Sequence, residues 1–100
     1  MKVTKLEPTD LEARLAELNA SGPFEWKLDG NGIKMETKFD NFISAFTFMT
    51  KVAMIAERMD HHPEWSNVYN RVSIDLFTHD ADGVTEYDFE LAGEIERAAL

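Results

Sequence analysis

The sequence predicts one α+β domain: an antiparallel sheet with helices packed on one face, in the order α-β-β-α-β-(β)-α. Three observations carry this prediction. Apolar residues recur at helical spacing in three segments. Between them, residues 24–39 and 68–79 alternate with period two. Pro, Gly and helix-capping residues mark the boundaries. A chain of 100 residues has room for one core, so residues 1–100 are read as one domain.

Taken in order, Thr9 to Glu12 reads as a capping box behind Pro8, and Leu11, Leu15 and Leu18 follow at helical spacing. Ser21-Gly22-Pro23 stops that helix. Phe24, Trp26 and Leu28 alternate with charged residues, Asp29-Gly30-Asn31-Gly32 supplies turn residues, and Ile33, Met35, Thr37 and Phe39 alternate again. This is a β-hairpin. Its Gly-x-Gly is not a phosphate loop, because no helix and no suitably placed lysine follow. Asp40 is the expected cap of a long helix over residues 40–59. The apolar residues of that helix, from Phe42, Ile43 and Phe46 to Met54 and Met59, fill more than one stripe. Either the surplus meets another subunit, or the helix is sunk between sheet and neighbouring helices.

Next, Val68, Asn70, Val72, Ile74, Leu76 and Thr78 are expected to face the core, with Asn70 as the exception. Tyr69, Arg71, Ser73, Asp75, Phe77 and His79 occupy the other face. Asp80-Ala81-Asp82-Gly83 is a turn, with room for a short strand near Val84. Thr85 to Asp88 forms a capping-box-like start to a last amphipathic helix carrying Leu91, Ala92, Ile95 and Ala98.

Composition narrows the function. Ten basic residues among nineteen acidic ones give a formal charge of −9, which argues against direct nucleic-acid binding. The absence of cysteine excludes disulfides, thiolate metal sites and a cysteine nucleophile. The N-terminal stretch lacks the apolar core of a leader, and no apolar run approaches the roughly 20 residues of a membrane span. A cytoplasmic location is the default expectation.

All three histidines lie between His61 and His79. Histidine exchanges protons near neutrality, so adjacent histidines fixed ahead of a proline suggest a proton-transfer site. Pro63 disfavours helical dihedrals at His62, so the helix ends at or before the pair. The helix C-terminus and the carboxylates of Glu57, Asp60 and Glu64 favour the imidazolium form, a competent general acid. Taken singly, His61 reads first as a helix C-terminal cation, His79 as an exposed strand-end residue, Asp88 as a helix cap, and Trp65 and Tyr69 as packing residues. Their convergence on one loop and one strand face favours function. A metal site is disfavoured, since adjacent histidines rarely share an ion and no His-x-His or His-x₃-His spacing occurs. Ser66 and Ser73 lack a nucleophile-elbow context.

Glu57, three residues, His61-His62-Pro63, five to Tyr69, nine to His79 and eight to Asp88 resemble the pterin-4a-carbinolamine dehydratase motif. The segment from Phe42 to Glu57 and the Trp26 hairpin resemble that family too. The resemblance covers nearly the whole chain, most weakly over the first twenty residues. It implies a cofactor-free dehydratase that converts 4a-hydroxytetrahydropterin to quinonoid dihydropterin, serving aromatic amino acid hydroxylases. It implies His61 and His79 as acid/base groups and His62 chiefly as a binding and orienting group. The pterin would be bordered by Asp60, Phe77, Thr78 and Asp80, with Trp65 and Tyr69 as walls. Either Glu57 or Asp60 would orient a histidine or meet the pterin's amino group, with Asp88 as a further supporting residue behind the histidines. Homo-oligomerisation through helix 40–59 is expected. Family resemblance also implies an alternative, a dimerisation cofactor for a homeodomain transcription factor.

Overall fold

Pro8 sets the start of the first helix. In the computed structural model, which describes residues 4–99, α1 (Pro8–Ser21) carries Pro at its first position, where a missing N–H is no loss. Residues 1–3 and residue 100 of the expected domain lie outside the described residues, as does the start of the stretch read above for a leader. The capping box expected at Thr9–Glu12 is not formed. Glu7 is the cap residue, and no side chain caps the helix. Leu18 is buried, and Leu11 and Leu15 pack against the same core.

β1 (Trp26–Asp29) and β2 (Gly32–Lys38) form the expected hairpin. Its turn is tight, and Gly30 alone takes positive φ there, at +60°, which is the requirement of a hairpin with Gly at the first central position. Trp26, Ile33 and Met35 are buried, whereas Leu28, near the sheet margin, is exposed. The indole N–H of Trp26 donates to the buried Glu96 carboxylate at 2.8 Å, tying the hairpin to the last helix. Gly22 is needed beside it, because a Cβ there would collide with the Glu96 carboxylate.

The cap of α2 (Phe42–Met59) is Asn41, not Asp40: its side-chain oxygen accepts from the Ser44 N–H at 2.8 Å. Ala45, Phe48, Val52 and Ala56 form the buried stripe of this helix. Phe42, Ile43, Phe46 and Met54 are exposed, so the deeply sunk helix weighed above is not what the chain forms.

After α2 come β3 (Glu64–Val68) and β4 (Arg71–Leu76), joined by Tyr69 and Asn70. The sheet order is β1-β2-β4-β3, antiparallel throughout, with the helices on one face. Sequence alternation concealed this second hairpin by reading 68–79 as one strand. Val68 pairs with Arg71 rather than continuing in phase with Val72, so it lies on the open face, 72% exposed, and not in the core. Tyr69 makes the reversal with φ 52°, steadied by the Asn67 side-chain amide donating to the Tyr69 and Arg71 carbonyls. Asn70 is buried because its amide donates to the Phe39 carbonyl.

The strand expected near Val84 is reduced to a single bridge between Thr78 and Gly83, around a 3₁₀ turn at His79–Ala81. α3 (Glu86–Ala98) begins at the expected capping box, Thr85 with Asp88, and buries Phe89, Leu91, Ala92 and Ile95. Val72, Ile74 and Leu76 face these helices, while Lys34, Ser73, Asp75 and Glu64 share the uncovered face.

Candidate active site

The way α2 ends decides where the histidines go. Asp60 adopts the left-handed conformation (φ 53°, ψ 41°), its N–H reaching Glu57 and the His61 N–H bonding the Ala56 carbonyl at 3.0 Å. This is a Schellman stop with aspartate where glycine is usual. The chain reverses there, and Pro63 prevents the helix resuming. His61 is thereby turned inward, 14% exposed, and His62 outward.

Each imidazole meets a carboxylate. His61 Nε2 lies 2.6 Å from Asp88 Oδ1, His62 Nε2 lies 2.8 Å from Glu57 Oε1, and His79 Nε2 lies 3.3 Å from Glu64 Oε1. The first pair is long-range and its carboxylate is fully buried, whereas the other two are solvent-exposed. Behind Asp88, Oδ2 accepts from the Thr85 N–H and the Thr78 hydroxyl, each at 2.8 Å, and the two threonine hydroxyls lie 2.7 Å apart. The Tyr87 ring lies 5.9 Å from that of His61. On the opposite side, the His79 ring stands edge-on to Phe77 at 4.3 Å.

One cleft of roughly 370 Å³ is lined by His61, His62 and His79 together with Asp60, Pro63, Glu64, Phe77, Thr78 and Asp80. The residues expected from the sequence around the three histidines thus converge, with two exceptions. Trp65 lies on the helix-covered face opposite Ile74, packed against the core, and Tyr69 lies at the far end of β3. Neither lines this cleft. Glu57 holds His62 rather than His61, since the chain reversal at Asp60 swings His61 towards α3. Two participants were missed as site residues. In the sequence Glu64 reads only as local charge and Thr85 only as a cap. The one signal for Thr85 was its position three residues before Asp88.

Beside the cleft, the carboxyl of Asp75 is held above the ordinary carboxylate range. Burial is the main cause, followed by the charge of the neighbouring Asp29 carboxylate. Lys34 opposes the shift and Glu64 adds to it. Among the described residues, no group of three or more His, Cys, Asp or Glu side chains is arranged to hold a metal ion. No helix among them is long and apolar enough to cross a membrane.

Comparison with known proteins finds relatives along nearly the whole chain. The family model for pterin 4 alpha carbinolamine dehydratase matches residues 4–98. A Rhizobium johnstonii protein named for pterin-4-alpha-carbinolamine dehydratase is 50% identical over 101 residues, spanning 99% of this chain and 95% of its own. One of the same name from Prochlorococcus marinus is 53% identical over 72 residues, 72% of this chain and 76% of its own. The crystal structure of a transcriptional coactivator/pterin dehydratase from Brucella melitensis matches with a TM-score of 0.87 at 39% identity, covering 97% of this chain and 100% of that one.

Proposed function

The chain belongs to the pterin 4 alpha carbinolamine dehydratase family, and from that premise we propose that it dehydrates 4a-hydroxytetrahydropterin by histidine acid–base catalysis. The product, quinonoid dihydropterin, would return to the cofactor cycle of aromatic amino acid hydroxylases in the cytoplasm. One observation carries the reading: His61 and His79, each with its own carboxylate, line the same cleft. At roughly 370 Å³ the cleft lies within the ~300–1,000 Å³ range of small-ligand sites.

The chemistry needs two proton handlers. Hydroxide is a poor leaving group, so one imidazolium gives its proton to the C4a oxygen as the carbon–oxygen bond breaks. The other imidazole takes the proton from the adjacent ring nitrogen, and water leaves. No net proton is consumed, and neither redox cofactor nor metal is called for. His62, tied to Glu57, orients the pterin, with Asp60, Phe77 and Asp80 at its edges. Positioned acid–base groups supply rate factors of about 10² to 10⁴, enough for a reaction already feasible in water.

A stopped-flow assay with freshly generated 4a-hydroxytetrahydropterin tests this. Quinonoid product forms faster with protein than without, and the acceleration survives added chelator. Equal rates with and without protein would reject the proposal.

The apolar stripe of α2 supports a second element of the reading. Exposed Phe42, Ile43, Phe46 and Met54 are too many for an unpartnered helix, and association as a homodimer or homotetramer would cover them. The relative named as a transcriptional coactivator favours the alternative, a heterologous partner on the same stripe. Sizing the purified protein by light scattering, then titrating a candidate regulator against the homo-oligomer, separates the two.

A further inference from the structure

The donors and acceptors around Asp88 fix more than its position. The Thr78 hydroxyl has one proton, and it is given to Asp88 Oδ2. The contact between the two threonine hydroxyls must therefore run from Thr85 to Thr78. Thr85 Oγ1 in turn accepts the Tyr87 N–H at 3.2 Å. The chain has one direction: Tyr87 N–H to Thr85 hydroxyl, Thr85 to Thr78, Thr78 to Asp88. Oδ2 also accepts the Thr85 N–H, so two donors converge on one oxygen and suit the carboxylate form. Oδ1 is then left as an acceptor facing His61 Nε2 at 2.6 Å.

We infer that Asp88, Thr78 and Thr85 act as positioning residues that hold neutral His61 as the Nε2–H tautomer, making Nδ1 the atom that exchanges protons with substrate. Its Nδ1 makes no hydrogen bond to a described residue, and no partly buried side-chain polar atom among the described residues is both enclosed and unsatisfied, so Nδ1 is open to solvent. Thr78 thereby changes its role. Its hydroxyl proton is committed to Asp88 and serves the site from behind, while the residue still lines the cleft. The catalytic part of this inference rests on the dehydratase reading, but the tautomer does not.

Long-range ¹⁵N NMR of the histidines in the wild-type protein, on the alkaline side of their titration, reads the tautomer directly. We expect His61 with its proton on Nε2; a proton on Nδ1 overturns the inference. Asp88→Asn sharpens the test. The Asn oxygen is claimed by the Thr85 N–H and the Thr78 hydroxyl, so its NH₂ faces His61 and reverses the tautomer. With that reversal, kcat should fall by roughly 10² to 10⁴ while KM stays within a few-fold; an unchanged tautomer in the folded variant refutes the assignment. Thr78→Val should lower kcat about tenfold, as expected for one lost hydrogen bond to a charged group. Thr78→Ser should restore it, and equal losses in both would reject the hydroxyl relay. An Nε2–H His61 in a protein without dehydratase activity would sink the proposed function while upholding the tautomer. An active enzyme with His61 protonated on Nδ1 would do the reverse.

Discussion

The two sides of the cleft use the same chemical pair in opposite settings. His61 is 14% exposed against a fully buried Asp88, itself held by the Thr78 hydroxyl and by the helix-cap N–H of Thr85. His79 is 73% exposed on a 3₁₀ turn, 3.3 Å from an equally exposed Glu64. A largely buried pair whose carboxylate is hydrogen-bonded at both oxygens fixes geometry and proton position, whereas exposed ion pairs contribute about 0–1 kcal/mol and are screened by salt. One side is preorganised and the other adjustable. A cleft that must admit a flat heterocycle and release it benefits from one fixed proton handler and one that can move with the ligand.

Substitutions can break that contrast. His61→Ala should lower kcat by roughly 10² to 10⁴, with His79→Ala also substantial but smaller, as read by stopped flow. Asp88→Ala leaves the Thr78 hydroxyl, the Thr85 N–H and His61 without their acceptor, and should cost about 3–5 kcal/mol in urea unfolding. By contrast, Glu64→Gln should cost less than 1 kcal/mol, lower kcat only a few-fold, and lose even that effect at high salt. His62→Ala should raise KM several-fold with little change in kcat, since Glu57 holds that ring at the rim.

The smallest effect concerns Asp75, on the sheet face beside the adjustable side. Its carboxyl binds a proton more tightly in the folded protein than in the unfolded chain, through burial and the adjacent Asp29. Its ionisation therefore works against the fold, and stability falls as pH rises from the ordinary carboxylate range through its raised value. Asp75→Asn should gain about 0.5 kcal/mol or less at neutral pH, and the gain should vanish in acid. Urea unfolding at the two pH values checks both the sign and its disappearance.

The contrast also explains what could be read from the sequence. Local signals were legible: Pro63 ended α2, the Gly30 turn made the first hairpin, and Thr85 with Asp88 capped α3. The second hairpin was hidden because apolar alternation runs through a tight turn made by Tyr69 and Asn70, without glycine. The adjustable side of the cleft is built from sequence neighbours, Phe77 to Asp80, and their grouping was anticipated. The fixed side depends on contacts 27 residues apart, and Asp88 was already explained as a cap, which masked how firmly it holds His61. A residue can satisfy one local rule completely with one oxygen and perform another task with its second.

The most direct test of paired proton transfer is single-turnover stopped flow on the His61→Ala/His79→Ala double variant with 4a-hydroxytetrahydropterin. Paired histidine catalysis predicts a rate close to the uncatalysed dehydration, with the fold intact by circular dichroism. A double variant that keeps wild-type turnover would contradict it.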